Sequence, residues 1–307
     1  MRIALFGSPS FAVPTLESLT KHHEVALVVT QPDKPVGRGM KMQSPPLAQR
    51  AKELGLSLEQ PKKLKGNEIF HDLLDELNLD LAVTAAYGKL LPQRLLDVPK
   101  HGFLNVHASL LPKYRGAAPI QWALIKGEKE TGISIMQTEA GLDTGPVRHV
   151  KKHHIQKDAT ATDMFNQLAE LGAEAMTEAL ELLEKDMLPL HPQEDAKATL
   201  APLLTKDDGR IRWHESAQAI YDRYRGVYAW PKTHTLFNGE QLKVHSLSVL
   251  KGKANPGAVL ELSQEGVVVG AAQDVIRLEL VQMPSKSKMS AHDWANGYGV
   301  KVGDEFG

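Results

Sequence analysis

The sequence has no cysteine among its 307 residues. This excludes a disulfide framework, thiolate metal ligands and a cysteine nucleophile. Long apolar segments are also missing, because no run approaches the about 20 residues that a membrane-spanning helix needs. The first predicted strand begins at residue 3, with no basic and apolar leader before it, so a signal peptide is not expected.

Several motifs of nucleotide and hydrolase chemistry are absent as well. The first strand-to-helix turn reads GSPSF, which is not a dinucleotide-binding glycine motif, and the sequence contains neither a phosphate-binding P-loop nor G-x-S-x-G. A nucleotide cofactor and a serine hydrolase triad are therefore not expected. His149, His153 and His154 lie close together, but a metal site would need a further ligand, and we expect exposed histidines and no metal.

Apolar strands alternate with amphipathic helices over residues 1–188. This pattern is typical of an α/β fold with a doubly wound, mostly parallel sheet, which is Rossmann-like but lacks the dinucleotide fingerprint. Ser44 is predicted to cap a helix that begins at Pro45. Residues 189–204 are proline-rich and without periodicity, which predicts a linker. Short strands with frequent turns then predict a small OB-like β-barrel domain over residues 205–307.

Two polar side chains interrupt the apolar strand at residues 103–108. Asn105 and His107 are two residues apart and therefore share one face of that strand. Asp143 lies in a second segment, the glycine-flanked loop G-L-D-T-G-P at 141–146. Taken singly, each residue is also compatible with a structural role, as a satisfied core residue or a turn residue.

Together, these three residues suit acyl transfer to an amine. That reaction passes through a tetrahedral oxyanion, to which Asn105 and His107 can donate hydrogen bonds. Asp143 can favour the charged form of His107 and can accept or relay the proton that the amine loses. No covalent enzyme intermediate is required.

The strand N-V-H followed by S-L-L-P-x-x-R-G-x-x-P, together with the spacing to G-L-D-T-G, resembles the 10-formyltetrahydrofolate-dependent formyltransferases. The resemblance implies that Asn105, His107 and Asp143 are the reacting-centre residues. It also implies that 10-formyltetrahydrofolate is the formyl donor. The residues implied to contact the folate are Ser109, Leu110, Leu111 and Pro112 of the S-L-L-P segment, and Ala86, Tyr87 and Gly88 of the A-Y-G turn.

Within this family, the sequence most resembles members that formylate methionyl initiator tRNA in the bacterial cytoplasm. The loop Q-P-D-K-P-V-G-R-G-M-K resembles their basic insertion, which implies that Arg38, Lys34 and Lys41 contact tRNA. Members that act on glycinamide ribonucleotide are about one domain long, so the length disfavours them. Amino-sugar formyltransferases and the formyltetrahydrofolate hydrolases remain alternatives, as does a non-catalytic RNA-binding protein built on the same fold.

Charge is unevenly distributed along the chain, whose net charge is −1. Residues 31–65 hold eight basic and three acidic side chains, which suits phosphate contacts. Residues 205–307 hold 13 basic and 12 acidic side chains, so RNA binding there requires clustering on one face. The candidates for that face are Arg210, Arg212, Arg223, Arg225, Lys243 and Lys286. We expect a monomer, because no long apolar surface pattern is evident.

Overall fold

The computed structural model describes residues 1–37 and 39–307. The described chain divides into two compact units. The first unit comprises residues 1–119, 130–155 and 163–202, and the second comprises residues 120–129, 156–162 and 203–307. No helix among the described residues is long and apolar enough to cross a membrane.

The strands of the first unit are β1 (Arg2–Gly7), β2 (Glu24–Val29), β3 (Lys34–Val36), β4 (Lys41–Gln43), β5 (Leu58–Glu59), β6 (Leu81–Ala85), β7 (Phe103–His107), β8 (Glu130–Gln137) and β9 (Val147–His154). The helices up to residue 184 are α1 (Val13–His22), α2 (Pro46–Glu53), α3 (Glu68–Glu76), α4 (Gln93–Leu96), α5 (Pro119–Ile125) and α6 (Ala161–Glu184). Most of α5 belongs to the second unit, and α6 begins there.

The main sheet of the described chain has seven strands in the order β5-β2-β1-β6-β7-β8-β9. The strands from β5 to β7 pair in parallel, whereas β8 and β9 are antiparallel to their neighbours. This confirms the predicted mostly parallel sheet. The strand order reverses direction between β1 and β6, so the carboxyl ends of β1, β6 and β7 are where a ligand is expected.

The central strands are apolar along their length because both of their faces are covered. Every residue of β6 is buried, as the parallel-sheet rule predicts for a strand packed on both faces. An aromatic cluster, in which the ring of Phe6 meets those of Phe70, Tyr87 and Phe103 edge-on, fills one side of the sheet. This packing fixes the strand ends from which the site loops emerge.

The second unit contains an antiparallel sheet in the order β10-β11-β14-β13-β12, with β15 paired to β14. Its elements are α7 (Ala217–Gly226), β10 (Thr233–Phe237), β11 (Glu240–Leu250), β12 (Val259–Ser263), β13 (Gly266–Gly270), β14 (Val275–Gln282), β15 (Met289–Ser290) and α8 (Ala291–Tyr298). Isolated bridges join Phe306 to Phe237 and Glu305 to Ala258. Both edges of the sheet are thus linked through residues 305–306, which agrees with the predicted small barrel.

Candidate active site

Asn105 lies in the middle of β7 and is held there by the neighbouring strand. Thr84 lies opposite Asn105 in the pairing of β6 with β7. The Thr84 hydroxyl donates a hydrogen bond to the Asn105 side-chain oxygen at 2.8 Å. With its oxygen engaged, the Asn105 amide presents its N–H donors, which is the orientation that stabilising an oxyanion requires.

His107 is buried at the last position of β7, with only 5% of its surface exposed. Its Nε2 lies 3.0 Å from the main-chain oxygen of Tyr114. Because a carbonyl oxygen can only accept, Nε2 carries the proton and donates it. The remaining nitrogen, Nδ1, lies 3.7 Å from Asp143 Oδ2. His107 can therefore serve a substrate only through Nδ1.

Asp143 sits in the loop between β8 and β9 with a backbone φ of 51°. This is the left-handed region, which is uncommon for a non-glycine residue, although aspartate tolerates it better than most. Its Oδ2 accepts a hydrogen bond from the backbone N–H of Gly116 at 2.8 Å. The structure therefore brings Asp143 to His107 from a separate segment of the chain, as the sequence hypothesis requires.

The S-L-L-P segment follows β7 directly. Ser109 is fully buried, and its hydroxyl donates to the backbone oxygen of Lys113 at 2.6 Å. The Ser134 hydroxyl accepts from the Leu111 N–H and donates to the Ser109 carbonyl. Leu110, Leu111 and Pro112 stay partly exposed. These three residues, but not the Ser109 side chain, are accessible to a ligand.

The A-Y-G turn follows β6, the strand next to β7. Ala86 and Gly88 are exposed, whereas Tyr87 is 3% exposed and its ring packs against Phe6. Burial raises the pKa of the Tyr87 hydroxyl to about 12. That hydroxyl has no hydrogen-bond partner among the described residues. The Tyr87 side chain thus belongs to the core, whereas Ala86 and Gly88 of this turn are available for a ligand.

The predicted basic loop forms a hairpin, in which β3 pairs with β4 between Lys34 and Gln43. Lys34 and Lys41 are exposed on it, while Arg38, the third predicted RNA contact, lies outside the described residues. Gln31 connects the hairpin to the A-Y-G turn, because its amide donates to the Tyr87 carbonyl at 2.9 Å and its oxygen accepts from Lys34 Nζ at 2.8 Å.

Asp33 anchors the base of this hairpin. Its carboxylate accepts hydrogen bonds from Gln60 and from the Ser44 hydroxyl, and these bonds lower the pKa of Asp33. Ser44 therefore does not cap α2, which begins at Pro46 with Pro45 in the capping position. The predicted cap was wrong because the hydroxyl is engaged by Asp33, 11 residues away.

The predicted basic face of the second unit is only partly available. Arg225 is 2% exposed, pairs with Asp222 and donates to the Ala159 carbonyl. Arg223 is buried beside Glu215. The hypothesis that these two arginines contact RNA was therefore wrong. Arg212 pairs with Asp207 and Glu215, whereas the other three candidates, Arg210, Lys243 and Lys286, are exposed.

The histidines of β9 show no metal-site geometry. His149 contacts Glu178 at 2.8 Å, and His153 contacts Gln167 at 2.9 Å. Within residues 1–37 and 39–307, no group of three or more potential ligands could hold a metal ion.

Two residues that contact the candidate site were missed in the sequence. Thr84 orients Asn105, and Gln193 donates to the carbonyls of Asp143 and Gly145. Thr84 is the one polar residue in β6, a signal like that of Asn105 and His107 in β7. Gln193 lies in the predicted linker, where no periodicity or motif distinguishes it.

Comparisons with known proteins agree with this geometry. The formyl transferase family matches residues 1–180, and the formyl transferase C-terminal domain matches residues 203–299. A methionyl-tRNA formyltransferase of Deinococcus radiodurans is 49% identical over 305 residues, covering 99% of this chain and 95% of that protein.

The fold of this chain is also similar to those of solved structures. A sugar 3N-formyl transferase, WlaRD, superposes with a TM-score of 0.69 at 16% identity, covering 94% of this chain and 99% of its own. HypX from Aquifex aeolicus in complex with tetrahydrofolic acid gives a TM-score of 0.64 at 18% identity over 99% of this chain. The chain spans 48% of HypX, about half its length. On its two matched domains and its full-length relative, this chain belongs to the formyl transferase family.

Proposed function

We propose that this protein transfers the formyl group of 10-formyltetrahydrofolate to the α-amine of methionyl initiator tRNA, as a monomer in the bacterial cytoplasm. The observation that carries the proposal is the approach of Asp143 to His107 at the carboxyl end of β7, the strand that also carries Asn105 two residues earlier. The relative of Deinococcus radiodurans, which this chain matches over nearly its full length, supports the choice of acceptor.

The residues after β6 and β7 fit a folate. Leu110, Leu111 and Pro112 are partly exposed apolar residues that follow Asn105 and His107 in the chain, and Ala86 and Gly88 are exposed in the turn after the adjacent strand β6. An apolar surface with a few fixed polar groups is typical of small-molecule sites. When bound there, the folate supplies the formyl group.

Asn105 and His107 stabilise the negative charge that develops on the formyl oxygen. The Asn105 amide donates because its oxygen is engaged by Thr84. His107 donates through Nδ1, since its Nε2 proton is directed at the Tyr114 carbonyl. Donors fixed before the reaction lower the barrier without reorganisation.

Asp143 has two roles in this proposal. Its carboxylate lies 3.7 Å from His107 Nδ1, close enough for its negative charge to orient the imidazole. It also accepts, directly or through water, the proton that the attacking amine loses. The Gly116 N–H engages Oδ2, so we assign the proton to Oδ1.

The acceptor tRNA is bound by exposed basic groups. Lys34 and Lys41 lie on the β3–β4 hairpin, and Arg38 completes this set in the proposal. Arg210, Lys243 and Lys286 are exposed on the second unit. Cations of this kind supply the phosphate contacts that dominate the affinity for nucleic acids.

An amino-sugar formyltransferase is the second candidate, because WlaRD shares the fold. A hydrolase that releases formate from the same folate, and a non-catalytic RNA-binding protein, are further alternatives. None of the three accounts as well for the full-length likeness to the Deinococcus radiodurans protein together with the intact Asn105, His107 and Asp143.

The test is formyl transfer from labelled 10-formyltetrahydrofolate to methionyl initiator tRNA, with uncharged tRNA, free methionine, an amino sugar nucleotide and no acceptor as parallel reactions. We expect transfer to the charged initiator alone. Transfer to the amino sugar, or release of formate without an acceptor, would replace the proposed function with the corresponding alternative.

A further inference from the structure

The Asp143 loop is held by residues of another segment. Gln193 donates one amide hydrogen to the Asp143 carbonyl at 2.8 Å and the other to the Gly145 carbonyl at 2.7 Å. Its side-chain oxygen accepts from Arg115 Nε at 3.0 Å. One side chain thus joins the loop that carries Asp143 to the loop that follows β7.

Gln193 is itself fixed by main-chain contacts on both sides. His191 and Val147 exchange two backbone hydrogen bonds at 2.9 Å. Further along, the Arg115 N–H donates to Thr199, and the Ala201 N–H donates to Arg115. Residues 191–201 therefore follow the surface of the first unit as a strap with defined register.

The neighbouring loops leave little room for movement. A Cβ atom at Gly145 would come within 2.0 Å of the Gln137 carbonyl, and one at Gly116 within 2.7 Å of the Ala201 carbonyl. Gly116 is also the residue whose N–H binds Asp143 Oδ2. The carboxylate and the backbone carbonyl of Asp143 are consequently held by two different segments of the chain.

We propose that Gln193 is a positioning residue that keeps the Asp143 carboxylate facing His107 Nδ1. The inference rests on the proposed function, in which Asp143 acts on His107 and on the amine proton. Without Gln193, the left-handed backbone at Asp143 relaxes towards common conformations, and the carboxylate turns away from the imidazole.

A glutamine suits this task because of its hydrogen-bonding groups. It offers two donors to two carbonyls and one acceptor to an arginine at the same time. Glutamate has the same shape but would place a negative oxygen against both carbonyls. Leucine keeps much of the volume and removes every hydrogen bond.

The experiment compares Gln193→Leu and Gln193→Glu with the parent protein in single-turnover formyl transfer across a pH series. We expect the rate constant to fall by on the order of tenfold to a hundredfold, with KM for both substrates little changed. The pH–rate profile should also shift, because the coupling between Asp143 and His107 is weakened. Gln167→Leu, at an exposed helical glutamine that contacts His153, is the matched control and should leave the rate and the profile unchanged.

A purely structural role for Gln193 would lower thermal stability without shifting the pH profile. To separate the two, Gln193→Leu is also made in an Asp143→Asn background, where it should add little further loss of rate. Full additivity in that cycle, or an unshifted profile in the Gln193→Glu protein, would overturn the inference. If the parent protein does not formylate methionyl-tRNA, the proposed function is wrong. If the parent is active and the Gln193→Leu variant has the same rate constant and the same pH–rate profile, only the inference about Gln193 is wrong.

Discussion

Two regions build the candidate site in different ways. Strand β7 supplies Asn105 and His107 from a regular, buried element whose alternation fixes where both side chains point. The segment 191–201 supplies Gln193 from an extended stretch that is held by bridges to residues 115 and 147. In the proposed function, the first region carries the groups that meet the substrate, and the second holds the loops around them. Variants in β7 should therefore lower the rate of reaction, whereas variants around segment 191–201 should lower stability.

The largest effect is expected from His107→Ala, in the region that carries chemistry. Removing one oxyanion donor should raise the activation free energy by about 2.7–4 kcal/mol, which is a loss of roughly 10²–10³ in kcat. Folate binding should persist, since the accessible residues Leu110, Leu111 and Pro112 are unchanged. His153→Ala, on the exposed edge strand, is the matched control. A turnover number within a few-fold of the parent would refute the oxyanion role.

Arg115→Met tests the supporting region. Arg115 is buried and donates to Gln193 and to Asp195, so its loss should lower the free energy of unfolding by roughly 1.5–3 kcal/mol, as for hydrogen bonds to a charged group. Denaturant unfolding measures this. Arg94→Met, at an exposed arginine in surface ion pairs, should cost at most about 1 kcal/mol. Equal losses in the two variants would mean that the strap contributes little to stability.

The β3–β4 hairpin lies outside both regions and carries the proposed RNA contacts Lys34 and Lys41. In the double variant Lys34→Ala/Lys41→Ala, the KM for the charged tRNA should rise while folate binding and single-turnover chemistry stay near the parent values. The slope of log affinity against log salt should fall by about 1 for each phosphate that the variant no longer neutralises. Two exposed lysines elsewhere, Lys152 and Lys185, changed to alanine together, give the same change in charge. An equal loss of folate binding would count against the hairpin as an RNA-binding element.

The smallest effect is expected from Tyr87→Phe. The hydroxyl is buried without a partner among the described residues, so its removal should leave stability unchanged or raise it by up to about 1 kcal/mol. Folate affinity should not change, because the ring packs in the core. Isothermal titration with a folate and thermal unfolding check the two parts. A loss of folate affinity would mean that the Tyr87 hydroxyl contacts the folate.

Much of the fold could be predicted because periodicity is a local property. The pattern that identifies a strand lies within a few residues, both in the apolar strands β1, β2, β6 and β7 and in the turn-rich second unit. The sequence therefore predicted one mostly parallel sheet and a second domain of short strands. The antiparallel direction of β8 and β9 did not follow from periodicity, because strand direction depends on how the strands are connected and not on local spacing. Ser44 shows that local patterns do not always predict a helix cap. Its hydroxyl could have capped the adjacent helix but binds the Asp33 carboxylate instead.

Burial of charged residues was the weakest part of the sequence hypothesis. Arg223 and Arg225 are indistinguishable from surface arginines by spacing alone. In the structure, Arg225 pairs with Asp222 and donates to the carbonyl of Ala159, which lies 66 residues earlier in the chain. A buried arginine is tolerated only when such partners are present, and the Ala159 carbonyl comes from a separate segment of the chain.

The sequence by itself determined the strands, the polar pair at the end of β7 and the glycine-flanked aspartate, because each depends on side-chain type and local spacing. Only the tertiary structure decided that Asp143 faces His107, that Tyr87 turns into the core and that Gln193 holds a loop 50 residues before it. Those outcomes depend on where irregular segments lie after the sheet has formed. Hydrogen bonds between such segments leave no period in the sequence, since one donor and one acceptor suffice to make them.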